Sequence, residues 1–235
     1  MFARVTGTVH LHPTAPLAER VLLPGDPGRA LLLAQTLLAD PVMFNHHRGL
    51  WGYTGAGPDG EPVTVQSTGI GGPSAAIVIA ELAELGARRL LRAGTCGALI
   101  PELELGDLVI ATEAISADGT SRALGAAAGL EPAPQLRAAL VQAGEPRARA
   151  GPVVSTDLFY DSREGEEERW IAAGAVAVDM ETATLFALAA RRGLQAASLL
   201  LVSDLLLGGR TRIEPGALRE GERLLGTVAL AALAG

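Results

Sequence analysis

The sequence predicts an α/β protein in which helices cover both faces of a central sheet. Short, almost wholly apolar stretches typical of buried strands alternate with amphipathic stretches of helical periodicity through nearly the whole chain. Hydrophobic residues make up 49% of the 235 residues and charged residues 19%, which excludes a disordered chain. No linker, repeat or low-complexity run divides the sequence, so we expect residues 1–235 to form a single domain.

Five strands and two helices are predicted in the first half. The first helix follows Gly28. The second is predicted from residues 73–86, with Pro73 in its first turn and Gly86 as the residue that terminates it. An Asp59-Gly60 pair favours a hairpin turn between the second and third strands. The predicted strands span residues 20–24, 50–55, 62–68, 89–93 and 107–114.

The second half repeats this alternation with three strands and four helices. We expect strands at residues 151–155, 175–179 and 196–204. Helices are expected at residues 135–143, 164–173, 181–192 and 217–234, the third of them ending at Gly193.

Charge and composition exclude several classes of protein. Nineteen basic and 26 acidic residues give a net charge of −7, and no lysine is present, so we expect no nucleic-acid partner. Apolar runs break before the roughly 18–20 residues that span a bilayer, so we expect no membrane segment. The histidines lack the spacing of metal ligands, and we expect no metal site.

Location and assembly are inferred from other features. A single cysteine, Cys96, rules out an intramolecular disulfide and fits a reducing compartment, and residues 1–13 lack the pattern of a secretory signal, so we expect a cytoplasmic protein. Cys96 is interpreted as a small packed residue. The excess of apolar residues suggests contacts between subunits, and we expect a homo-oligomer.

Two arginines follow predicted strands where an anion could bind. The glycine-rich turn LLPGDPGR leads from a strand into a helix and places Arg29 in the first turn, where the backbone amides favour an oxyanion. Alternatively, Arg29 points into water from an ordinary tight turn. Arg92 lies at the end of the predicted strand 89–93, before Gly94-Thr95, and it binds either an anion or a structural carboxylate partner.

Acidic residues follow two further strands. Asp179, Met180 and Glu181 precede a helix, where a carboxylate is favoured by the dipole and could instead accept hydrogen bonds from sugar hydroxyls. Ser203 and Asp204 follow an almost wholly apolar stretch, and Asp204 could cap a helix or act as a general acid. Because ligands in α/β sheets bind at strand ends, we expect these stretches to form one site.

Seven stretches, in order and across most of the chain, resemble the nucleoside phosphorylase family, which includes hexameric purine nucleoside phosphorylases, uridine phosphorylases and methylthioadenosine phosphorylases. This resemblance implies a three-layer α/β/α fold with a mixed, partly barrel-like central sheet, and a homohexamer with shared active sites. The matching stretches are VLLPGDPGRA, NHHRGLWGYTG, STGIGGPSAAI, RAGTCGAL, STDLFY, VAVDMETATLFALAA and LLLVSD.

The resemblance also implies roles for individual residues. The residues that it places around phosphate are Gly25, Arg29, Arg92 and Thr95, with Arg48 from a neighbouring subunit. Those that it places around the nucleoside are Met180, Glu181, Ser203, Phe159 beside the base, and His10 from the neighbour, although His12 lies close by. Asp204 would protonate N7 of a purine, supported by Arg219 of the last helix. Inorganic phosphate would be the co-substrate, with no cofactor.

Phosphorolysis of purine nucleosides to free base and ribose 1-phosphate is therefore the expected activity. Asp204, and the absence of glutamine in the DSREGEEERW stretch after Tyr160, favour purine over uridine. Methylthioadenosine or uridine phosphorolysis stays open, as does the choice between 6-amino and 6-oxo purines. Three arginines argue against a hydrolase, and a non-catalytic nucleoside-binding protein is a further alternative.

Overall fold

A computed structural model describes residues 7–126, 129–160 and 163–235. Its strands are β1 (Arg20–Leu23), β2 (Ala39–Asn45), β3 (Gly52–Ala56), β4 (Pro62–Gln66), β5 (Arg89–Ala98), β6 (Leu108–Ser116), β7 (Ala148–Ser155), β8 (Ala177–Asp179), β9 (Gln195–Leu205) and β10 (Thr211–Arg212). Its α-helices are α1 (Pro27–Leu37), α2 (Gly72–Leu85), α3 (Gly119–Ala123), α4 (Pro134–Gly144), α5 (Glu166–Ala172), α6 (Thr182–Arg192) and α7 (Pro215–Ala234). A short 3₁₀ helix spans His47–Gly49.

The ten strands form one mixed sheet, part of which closes into a barrel. The strand order is β10-β9-β6-β7-β8-β5-β1-β4-β3-β2, and β9 also pairs in parallel with β5. This additional pairing closes β5, β9, β6, β7 and β8 into a five-stranded ring, from which β1, β4, β3 and β2 extend. The expected mixed and partly barrel-like sheet is thus confirmed.

Helices cover the two faces of the sheet, as the three-layer prediction requires. On one face, α1, α4 and α7 pack through a cluster that includes Leu33, Leu140 and Leu225. On the other face, α2 and α6 contribute residues such as Ile79 and Phe186 to a second cluster. Both faces of the central strands are buried, which explains their almost unbroken apolar sequences.

Strand β5 differs from its prediction in length. The sequence predicts that the strand ends at residue 93, whereas β5 continues to Ala98 because its pairing with β9 runs from Arg89 to Ala98. Arg92 and Thr95 therefore lie within the strand, and the expected position of Arg92 at a strand end is wrong. The glycine-containing residues 94–97 resemble a loop in sequence, but β9 supplies backbone hydrogen-bond partners that keep them in the strand.

The two outermost strands are not anticipated by the sequence. Strand β2 is mostly exposed and pairs with β3 through two register shifts, with Asp40 in a left-handed conformation at φ 46° and Pro41 beside it. Strand β10 has only two residues. No helix in the described part of the chain is long and apolar enough to cross a membrane.

Candidate active site

Arg92, on β5, is the centre of a buried cluster of charges. Its Nε donates to Oδ2 of Asp179 at 2.9 Å, and its Nη2 lies 2.5 Å from Oε2 of Glu181. All three residues are less than a tenth exposed. Asp179 also accepts hydrogen bonds from the hydroxyls of Ser155 and Thr182, so its carboxylate is fixed on several sides.

Glu181 is held in place by the start of helix α2. The backbone N–H of Gly71 donates to its Oε1 at 2.5 Å, from a conformation with φ 83° that favours glycine. Burial raises the pKa of the Glu181 carboxyl, and the Asp179 carboxylate acts in the same direction against the opposing effect of Arg92. One guanidinium therefore contacts two buried carboxylates. A small cavity bounded by Thr68, Arg92 and Glu181 lies beside them.

Arg29 lies in the first turn of α1 and is only 7% exposed, so the alternative in which it points into water is wrong. Its Nε donates to Oε1 of Glu222 on α7 at 2.8 Å, and its Nη1 donates to the carbonyl of Ala93 at 3.4 Å. Asp26 caps the helix by accepting from the Arg29 backbone N–H. Because Ala93 follows Arg92 on β5, the two arginines belong to one region of the molecule.

Two glycines allow the backbone to approach closely at this site. A Cβ on Gly25 would lie 3.1 Å from the carbonyl oxygen of Gly69, where the turn after β1 is hydrogen-bonded to the segment after β4. A Cβ on Gly94 would lie 2.6 Å from Cζ of Arg92. The guanidinium therefore packs over a bare backbone, and Thr95 follows half-buried on the same strand.

Asp204 lies near the end of β9, buried among polar partners. It accepts a hydrogen bond of 2.7 Å from the hydroxyl of Ser203, and one of its oxygens lies 3.0 Å from Nε of Arg210 and 3.2 Å from Nε of Arg212. It sits within a strand and caps no helix. Arg219 lies exposed on α7, and the arginine contacts of Asp204 among the described residues come instead from the β9–β10 hairpin.

Phe159 joins this group from the segment after β7. The guanidinium of Arg210 lies over its ring at 4.0 Å from the centroid, a cation–π contact, and the ring is 44% exposed. Arg210 thus links the carboxylate expected to protonate the base to the ring expected to flank it. Met180 lies half-buried between Asp179 and Glu181.

His10 and Arg48 form no hydrogen bond or ion pair with this cluster in the described part of the chain, and they belong to two segments, residues 8–12 and 45–51, that contact each other. Nδ1 of His10 contacts Oε1 of Glu81 at 2.8 Å, and the same carboxylate accepts from the backbone N–H groups of residues 9, 10 and 11. The rings of His12 and His47 stack at 3.9 Å. Arg48 is exposed, with φ 57°.

Cys96 is a buried cysteine on β5. Burial raises the pKa of the Cys96 thiol, which suits the expected packing role. No group of three or more histidine, cysteine, aspartate or glutamate side chains arranged to hold a metal occurs within residues 7–126, 129–160 and 163–235. The residues that hold the predicted ones in place are Asp179, which the sequence had already indicated, and four that it had not: Gly71, Arg210, Arg212 and Glu222.

Only some of these contributors left a signal in the sequence. The Gly71-Gly72-Pro73 run marks a constrained helix start, and Asp179 stands beside Glu181 after an apolar strand. Glu222 lies inside an ordinary amphipathic helix, where a carboxylate carries no information about a buried partner 193 residues away.

Comparisons with known proteins identify the family of the chain. The family model described as the phosphorylase superfamily matches residues 19–231. A DeoD-type purine nucleoside phosphorylase of Alkaliphilus metalliredigens is 39% identical over 207 residues, covering 84% of this chain and 88% of the relative. A guanosine phosphorylase of Halorubrum lacusprofundi is 38% identical over 198 residues, covering 83% and 81%.

A solved structure is similar over nearly the whole chain. The crystal structure of a uridine phosphorylase from Vibrio fischeri, complexed with 6-hydroxy-1-naphthoic acid, superposes with a TM-score of 0.85 at 29% identity, covering 93% of this chain and 92% of that one. The family model, the relatives and the solved structure each cover most of the chain, and the chain belongs to the nucleoside phosphorylase family of the phosphorylase superfamily.

Proposed function

We propose that this enzyme is a purine nucleoside phosphorylase, a pentosyltransferase that converts a purine nucleoside and phosphate into free base and pentose 1-phosphate. The observation that supports this most is the direct contact between Arg92 and Glu181, at 2.5 Å. It joins a cation suited to an oxyanion to a carboxylate suited to sugar hydroxyls. Relatives of this chain named purine nucleoside phosphorylase and guanosine phosphorylase support the same base class.

The chemistry requires that phosphate be held against a developing cationic sugar. Arg29 and Arg92, with the amides near Gly25 and the hydroxyl of Thr95, would position the anion so that one of its oxygens attacks C1′. Glu181 would accept hydrogen bonds from the 2′- and 3′-hydroxyls, and Met180 would pack beside the sugar. The new C1′–O bond forms as the C1′–N9 bond breaks, and the bonding electrons move into the base.

Asp204 would complete the reaction by donating a proton to N7 of the departing purine. Arg210 and Arg212 contact its Oδ1 while Ser203 donates to Oδ2, so the carboxyl is held on both oxygens. Phe159, under the Arg210 guanidinium, would flank the base. A supporting role for Arg219 stays a prediction.

The uridine alternative has one supporting observation, the similarity of the fold to a uridine phosphorylase. Against it, the DSREGEEERW stretch directly after Tyr160 contains no glutamine to bind a pyrimidine edge, and Asp204 provides an acid suited to a purine nitrogen. Purines are therefore the favoured substrates.

We further propose that the enzyme works as a homohexamer in the cytoplasm, in purine salvage, with active sites shared between subunits. Among the described residues, no hydrogen bond or ion pair joins Arg48 or His10 to Arg29 or Arg92 of their own chain, and both would reach the site of a neighbour. Exposed apolar side chains around them support such a contact: Val9, Val42, Met43, Trp51 and Ile70.

A substrate panel tests the proposal. Adenosine, inosine, guanosine, uridine and methylthioadenosine are incubated with the enzyme in the presence and absence of phosphate, and base and pentose 1-phosphate are quantified. We expect phosphate-dependent release of purine bases. Turnover without phosphate would indicate a hydrolase, uridine preference a uridine phosphorylase, and binding without turnover a non-catalytic nucleoside-binding protein.

A further inference from the structure

The two buried arginines are held in the same way, each by a carboxylate on its Nε. For Arg92 the carboxylate is Asp179, at 2.9 Å, and for Arg29 it is Glu222, at 2.8 Å. Glu222 comes from α7 and is itself only 9% exposed. A guanidinium fixed through Nε presents its Nη groups in a defined direction. Nη2 of Arg92 contacts Glu181 and Nη1 of Arg29 donates to the carbonyl of Ala93, and the remaining N–H groups can donate to an oxyanion.

Close packing of α7 determines the position of the Glu222 carboxylate. A Cβ on Gly226, one turn later, would lie 2.4 Å from Cδ2 of Leu33 on α1, and a Cβ on Gly221 would lie 2.8 Å from Cδ1 of Leu201 on β9. Both glycines therefore allow α7 to approach its neighbours without intervening side chains. Glu222 lies between these two contacts, so it has little freedom to move relative to Arg29.

We propose that Glu222 is a positioning residue for phosphate binding. It fixes Arg29 through Nε and directs the Nη edge toward the anion, so that helix α7 forms part of the phosphate site without touching phosphate. This inference rests on the proposed function, because it takes Arg29 to be a phosphate ligand. The alternative is that Glu222 competes with phosphate for Arg29. Removing the charge of Glu222 would then tighten phosphate binding, whereas a positioning role predicts no gain in phosphate affinity.

Two conservative variants separate these roles. Glu222→Gln keeps the length of the side chain and an oxygen that can accept from Nε, but it removes the charge. Glu222→Asp keeps the charge and shortens the reach. Glu220→Gln, an exposed position on the same helix, is the matched control. The dissociation constant of inorganic phosphate is measured by calorimetry without nucleoside, together with KM for phosphate and for the nucleoside.

A positioning role predicts that Glu222→Asp weakens phosphate binding on the order of tenfold, the effect of losing one charge-assisted hydrogen bond. Glu222→Gln should retain most of the phosphate affinity, and KM for the nucleoside at saturating phosphate should stay unchanged in both variants. Tighter phosphate binding in Glu222→Gln than in the wild type would establish competition and overturn the proposal. Unchanged phosphate affinity in Glu222→Asp would also overturn it.

Failure of the proposed function has a different signature. It appears in the wild-type protein itself, as an absence of phosphate binding or as turnover that does not depend on phosphate. In that case Arg29 is not a phosphate ligand and the role of Glu222 is rejected with it. In the other case, the wild type binds phosphate while the phosphate affinities of Glu222→Gln and Glu222→Asp fall in an order other than the one expected. That result rejects the positioning role of Glu222 and leaves the proposed function intact.

Discussion

Nη2 of Arg92 lies 2.5 Å from Oε2 of Glu181, so the side chain assigned to phosphate and the side chain assigned to the sugar are in direct contact. Neither can change its charge or position without an effect on the other. Binding of the two substrates should therefore be coupled, and by linkage the coupling is the same in both directions.

Replacing Glu181 with glutamine tests this coupling. The nucleoside should bind on the order of tenfold more weakly, because hydrogen bonds from the sugar hydroxyls to a charged acceptor are lost. Phosphate should bind more tightly, because a negative charge next to Arg92 has been removed. Calorimetric titration with each ligand measures both effects, and Glu168→Gln on the exposed surface of α5 is the control. A parallel loss of affinity for both ligands would contradict the coupling.

Substitution of Gly94 by alanine should damage the phosphate site directly. The new Cβ would lie 2.6 Å from Cζ and Nη2 of Arg92 and 2.9 Å from Cδ2 of Leu200, and overpacking of this kind costs about 1–3 kcal/mol. We expect phosphate affinity to fall by about tenfold or more as the guanidinium is displaced. Gly216→Ala, where nothing lies within 4 Å, should leave phosphate affinity unchanged. Equal phosphate dissociation constants in the two variants would show that Arg92 is not a ligand of the anion.

Loss of the Glu81 charge should loosen residues 9–11. Burial alone would raise the pKa of the Glu81 carboxyl, but hydrogen bonds from His10 and from the backbone of residues 9–11 outweigh it and lower the pKa below 4.5. The bonds therefore stabilise the folded state fully above pH 4.5, and this contribution disappears as the pH falls through the native pKa.

Hydrogen exchange and denaturation measure this effect. In Glu81→Gln, amides 9–11 should exchange faster at pH 7, and urea titration should give a lower free energy of unfolding than in the wild type. The difference between the two proteins should shrink on acidification below pH 4.5. Glu84→Gln, at an exposed position on the same helix, should change neither measurement. A stability difference that grows on acidification would mean that the pKa is raised.

Replacing Asp204 with asparagine separates general-acid catalysis from binding. A purine leaving group needs a proton, whereas a nucleoside with an activated base leaves without one. We expect kcat for adenosine or inosine to fall by about 100-fold or more and kcat for the activated nucleoside to change little. Kinetics with both substrates test this, and equal losses would reject the general-acid role.

Charged residues that interrupt an apolar pattern could be predicted from the sequence alone to belong to the site. In the sequence, Arg29, Arg92, Glu181 and Asp204 each come after an apolar stretch, where an apolar core would not select a charged side chain. Each of them does lie in a buried polar cluster. The fold class could be predicted because the spacing of apolar residues within each short stretch distinguishes a strand from a helix, and the two alternate along the chain.

Partners that arise from the tertiary arrangement were not predictable in this way. Glu222 and Arg29 are 193 residues apart, and Gly71 meets Glu181 across 110 residues. Arg210 and Arg212 reach Asp204 because a two-residue strand folds back on β9, and a strand so short has no periodicity to detect. The extension of β5 beyond residue 93 likewise depends on β9 being its neighbour.

The open margins of the sheet have a consequence for how the chain behaves at high concentration. At one margin, β10 offers only two residues, and at the other β2 contains Pro41, which has no N–H to donate, beside the left-handed Asp40. Neither can template a long run of hydrogen bonds with a foreign strand, a property that natural β proteins use to resist aggregation. Assembly is thereby left to side chains, which recognise a particular partner, whereas exposed backbone would accept any extended peptide.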